Sequence, residues 1–167
     1  MAMTLVSTVT VGSGGAASIE FTGIAGTGKD LFILICPRAS NSATVNEMKI
    51  TFNSDTGSNY STRFLRGFGS GTLSGTGDTN YAGPYTFNGN TSSANTFSNF
   101  SVYVSNYTSS STKSISIDSV QEDNATTGVQ NINASNWAGT SAITSIQLAP
   151  TSGSFVQHST ASLYIIS

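Results

Sequence analysis

Apolar and polar residues alternate along most of this chain, and no window carries a helical apolar period of about 3.6 residues. The exception to alternation is Leu31–Cys36, six apolar residues in a row. That run is too short for a buried helix and suits a central strand covered on both sides. Pro37 cannot donate to a ladder and marks its end. Val45–Phe52 then alternates: Met48, Ile50 and Phe52 point one way, Glu47, Lys49 and Thr51 the other. This predicts a strand with one dry and one wet face.

The same pattern predicts further strands on either side. Met1–Val11 reads as a strand or an extended arm, with Met3, Leu5, Val9 and Val11 on one face. Ser18–Ile24 turns Ile19 and Phe21 inward. Ser61–Gly67 carries Arg63 and Arg66. Phe97–Tyr107 places Phe100, Val102 and Val104 inward and Asn99, Ser101, Tyr103 and Ser105 outward. Lys113–Val120 buries Ile115 and Ile117. Val129–Trp137 has Ile132 and Trp137 as its apolar content. Ala142–Leu148 pairs Ile146 with Leu148 on one face, and Phe155–Ile166 is the last strand, with His158 in its middle. Between them lie turns rich in Gly, Asn, Ser and Thr, such as Asn53–Gly57, Thr108–Thr112 and Gln121–Thr127. Gly67–Asn95 is the least regular part; a short strand around Tyr81–Phe87 is expected inside it.

About ten strands at roughly ten-residue spacing point to an all-β, two-sheet sandwich. A jelly roll is the first expectation and an immunoglobulin-like sandwich the second, since the Cys…Trp…Cys pattern of the latter is missing. The chain fits one domain, residues 1–167, with 1–15 as a possible N-terminal arm.

Composition narrows the function. Charged residues make up 8 % of the chain and the net charge is −2, with six Lys and Arg in all. Too few cations are present to assemble a phosphate-binding patch, so no nucleic-acid partner is expected. The single cysteine, Cys36, allows no internal disulfide and is expected to be a small buried hydrophobe. The N-terminus lacks a signal-peptide pattern, and no apolar run is long enough for a membrane span. Synthesis in a cytosol is the expectation.

The candidate chemistry is thin. Gly23–Asp30 is one residue short of a phosphate-binding loop, because Asp30 stands where Ser or Thr must hold magnesium, and a strand rather than a helix follows. Asn53-x-Asp55-x-Gly57-x-Asn59 spaces oxygen ligands as calcium loops do but lacks their further carboxylates. A turn that bonds its own backbone is the simpler reading. His158 is the only histidine and has no ordered Ser or Asp beside it for a triad. Asp118, Glu122 and Asp123 are the densest acidic group, yet a glycosidase pair must face across a groove. Neither cofactor nor metal nor catalytic residue is assigned. Tyr81, Tyr85, Tyr103, Tyr107 and Trp137 suit either stacking on sugar rings or packing against a neighbouring subunit. Together with Met3, Leu5 and Val9 they form the candidate interaction surface. Six Asn-x-Ser/Thr sequons, at Asn59, Asn90, Asn99, Asn106, Asn124 and Asn133, are what so much Asn, Ser and Thr produces by chance.

Three stretches carry a resemblance: MKITFNSDTGSNYS, ANTFSNFSVYVSNYTSSSTKSISIDSVQEDNATT and SAITSIQLAPTSGSFVQHSTASLYIIS. They resemble small all-β virion proteins of tailed bacteriophages, over about Gly28 to the C-terminus. One departure is Leu163-Tyr164-Ile165-Ile166, where relatives often read Leu-Tyr-Gly-Ile. The resemblance implies a jelly-roll module serving as capsid decoration (cement), bound to the major capsid protein, or as a tail or fibre part that recognises host glycans. It also implies a homotrimer, a place in the virion, and no enzymatic activity. The Met1–Val11 arm would then add a strand to a neighbour.

Overall fold

The computed structural model describes residues 2–124 and 128–167; part of the expected polar turn Gln121–Thr127 therefore lies outside it. Among the described residues there are twelve strands: β1 (Met3–Thr10), β2 (Ile19–Thr22), β3 (Asp30–Cys36), β4 (Val45–Phe52), β5 (Tyr60–Phe68), β6 (Gly71–Thr76), β7 (Ala82–Asn88), β8 (Asn99–Val104), β9 (Lys113–Gln121), β10 (Val129–Trp137), β11 (Ser145–Pro150) and β12 (Thr160–Ile166). They form an eight-stranded sheet, β1-β12-β3-β8-β9-β10-β5-β6, and a four-stranded sheet, β2-β11-β4-β7. Every pairing is antiparallel. The all-β sandwich expected from alternation is the observed architecture.

The core lies between the sheets and is built by parity. Leu31, Ile33 and Ile35 of β3, Phe100, Val102 and Val104 of β8, and Met48, Ile50 and Phe52 of β4 are all buried. Aromatic rings bridge the layers. Phe52 of the small sheet meets Trp137 at 5.7 Å and Tyr60 at 6.3 Å. Further along, Phe87 packs edge-on against Phe100 at 6.2 Å. The strand β7 crosses β5, β9 and β10 and closes that side of the sandwich.

Several expectations change. The apolar run in β3 is not covered on both sides. Leu34 is 40 % exposed and Cys36 is exposed, because the outer face of the large sheet carries no further layer. Residues 67–95 contain β6 as well as β7; the GTLSGT run of β6 has a single large apolar residue and gives little periodic signal. The last strand starts at Thr160, since Phe155–Ser159 turns first, with His158 at a positive φ of 72°. Ile132 and Trp137 lie on opposite faces of β10, and Ile132 points out, 57 % exposed.

The N-terminal segment is not a free arm. It pairs along β12, from Met3↔Ile166 to Thr10↔Thr160, and the register slips between Leu5 and Ser7. That bulge changes which side chains face out. Met3 and Leu5 sit opposite Ile166 and Tyr164 on the outer face, while Val9 sits opposite the buried Ala161 and packs on the core. The expected common face of Met3, Leu5 and Val9 is therefore split.

Candidate interaction surface

The outer face of the large sheet carries the clearest functional geometry. Strand register aligns Leu5, Tyr164, Phe32 and Tyr103 in one lateral row across β1, β12, β3 and β8. Met3 and Ile166 flank this row on one side and Leu34 on the other. Met3 is 56 % exposed and Leu5 53 %. At the end of the row, the Tyr103 hydroxyl donates to Asp30 Oδ2 at 2.6 Å, and this bond to a carboxylate raises the phenol's pKa. Asp30 also accepts from the Asn106 amide, so its charge is tied down at the rim. The result is an apolar row that ends at β1 and carries one carboxylate, Asp30, beside Ile166 at its Tyr103 end.

The edge of β1 adds a second feature. Its only strand neighbour is β12, leaving the other side of its backbone unpaired. Sheet edges are usually guarded by Lys, Pro or a short strand. β1 is eight residues long and holds no charged residue and no proline. Its bulge is the one protection it has.

Other residues expected on the surface are interior. Tyr85 is fully buried; its hydroxyl pairs with Ser135 Oγ at 2.9 Å, and burial drives its pKa well above the usual phenol value. Tyr107 is buried too: its hydroxyl donates to the Ala25 carbonyl and accepts from the Gly28 amide. Trp137 is 3 % exposed, with Nε1 donating to Asp55 Oδ2 at 2.7 Å. None of the three can stack on an external sugar ring in this fold. Tyr81 remains half-buried beside Asp78 and Glu47, where burial and those charges raise its pKa. Of the candidate residues, the structure brings Met3, Leu5 and Tyr103 together and leaves Tyr81 apart.

No constellation for chemistry assembles. Asp55 Oδ1 accepts from Gly57 N at 2.9 Å and from Asn59 Nδ2 at 3.1 Å, and Oδ2 accepts from Trp137 and Asn59. With three N–H donor groups making four contacts to it, this carboxylate caps its own turn and is not arranged for calcium. The hydrogen bonds, that of Trp137 foremost, hold its pKa below the usual value. Asp118 projects outward from β9, Glu122 accepts from Asn124 N in the following turn, and Asp123 is buried with Oδ2 accepting from Ser93 N. These acids face different directions, so they make no opposed pair. Among the described residues no three His, Cys, Asp or Glu side chains gather as a metal site.

Phe32, Leu34, Tyr164 and Ile166 were not singled out by sequence, because alternation does not say which side of a strand has a second layer above it. The available signal was the unbroken apolar run of β3 itself. In comparisons with known proteins, no family model and no curated protein matches this chain.

Proposed function

We propose that this chain is a structural protein of a bacteriophage virion, a decoration (cement) protein that binds and stabilises the shell of the major capsid protein. The observation that carries the reading is the apolar row Leu5–Tyr164–Phe32–Tyr103 running to the unpaired edge of β1. An exposed apolar row beside an open strand edge is a surface for protein contact: side chains supply the area and the backbone supplies register. The finer fold supports the same reading. A jelly roll is part of the proposal: the small sheet β2-β11-β4-β7 and the order β3, then β8 to β10, then β5-β6 in the large one are compatible with it if three strands stand where one is usual. The phage-like stretches fall on β4, on β8 to β9 and on β11 to β12, the strands that frame this architecture. A homotrimer is part of the proposal.

Quantitative mass spectrometry of purified virions tests it. Decoration predicts hundreds of copies in fixed ratio to the major capsid protein. A few to a few tens of copies would move the protein to the tail, and absence from the particle would remove any virion role.

A further inference from the structure

A second surface lies away from the apolar strip. The β7–β8 loop and the turn before β12 border an open surface cleft of about 480 Å³, with Arg38 in its wall. Arg38 is 7 % exposed. Its Nη1 donates to the carbonyls of Ser93 (2.7 Å) and Thr96 (2.9 Å) and to Thr96 Oγ1, and its Nη2 to the carbonyls of Asn90 and Ser92. All five acceptors are neutral. Arg66–Glu47 is the one ion pair found among the described residues, so Arg38 has no carboxylate partner. Asp123, also buried, accepts from the amide of Ser93, the residue whose carbonyl Arg38 holds, and does not line the cleft.

Buried charges are normally paired. Here a buried guanidinium, held rigidly by the loop it staples, contributes positive potential to a cleft with no acid in its lining. The rest of the lining is the chemistry of polyol recognition. Asn90, Asn95 and Gln157 offer amides that both donate and accept, His158 offers an imidazole, and Phe97 offers a half-buried ring. Asn95 and His158 take left-handed backbone angles, φ 62° and 72°, and the His158 amide is bonded to the Val11 carbonyl.

We infer that this cleft binds an acidic saccharide, with the carboxylate of a uronic acid drawn by Arg38 and the hydroxyls read by Asn90, Asn95 and Gln157. The inference is independent of where the chain sits in a particle. The test is a backbone-amide NMR titration of the ¹⁵N-labelled chain with sodium D-glucuronate, alongside D-glucose and sodium acetate at matched ionic strength. Glucuronate is expected to give saturable shifts confined to Asn90–Phe97 and Gln157–His158, with glucose and acetate giving much weaker ones. Gln157→Ala, at an exposed position, is expected to weaken glucuronate binding about fivefold, the loss of one hydrogen bond. Equal shifts from glucose or acetate, shifts scattered over the surface, or no saturable shift at all would overturn the proposal, as would an unchanged affinity in Gln157→Ala.

Discussion

At the residue scale, single polar groups fix loops to the sandwich. Asp55 is one: it closes its own turn and reaches across to Trp137, tying the β4–β5 connection to β10. Its pKa is depressed in the folded state, so the stability it contributes is present above the unfolded carboxylate value of about 4 and is lost as pH falls through the lower folded value. Urea unfolding followed by Trp137 fluorescence should therefore show stability dropping below about pH 4, and Asp55→Asn should flatten that part of the profile. Tyr85 makes a quieter contribution. Tyr85→Phe removes the bond to Ser135, which keeps its other partner Thr62, and should cost about 1 kcal/mol in the same assay. Such roles were only partly legible in the sequence. The Asn53–Asn59 spacing announced a self-capping turn. Nothing local announced that Trp137 would be its distant donor, because that contact depends on how two sheets stack.

At the element scale, parity was the readable quantity and layer count was not. Alternation in β4, β8 and β9 places their core residues correctly, since a period of two follows from strand geometry alone. The run Leu31–Cys36 suggested two covered faces, and the fold supplies one. The N-terminal strand shows a second limit: one slipped residue at its bulge reassigns every side chain beyond it. Close packing at strand entrances was equally hidden. A Cβ on Gly28 would lie 2.2 Å from Ile165 Cγ2 and 2.8 Å from the Ile166 carbonyl oxygen. The same segment pairs Lys29 N with Ile166 O. Gly28→Ala should force β12 away from this loop and cost about 2 kcal/mol, read as a lowered melting temperature. In the glycine-rich stretch that resembled a phosphate loop, Gly28 thus serves close packing.

At the scale of the whole molecule, two faces of the large sheet have opposite fates. The inner face is closed by the small sheet. The outer face keeps its apolar row in solvent. Leu5→Lys and Leu34→Lys change exposed positions and should alter thermal stability by less than about 0.5 kcal/mol. If the row is a contact surface, both should abolish self-association in sedimentation velocity and strip the protein from capsids. Wild-type chain that remains monomeric at high concentration would remove the trimer from the proposal.

The meeting of the two chain ends has a mechanical consequence. Ala2 and Ser167 exchange backbone hydrogen bonds, at 3.0 Å each, where β1 lies antiparallel to β12. Tension applied between these ends loads that ladder from its tip, one rung at a time, as a zipper is opened rather than as a lap joint is sheared. Load carried through one end and out through the broad sheet face bypasses the zipper altogether. In the proposed decoration role, a particle swelling from within would spare this ladder only in the second geometry, so the way the module is held would matter as much as how tightly.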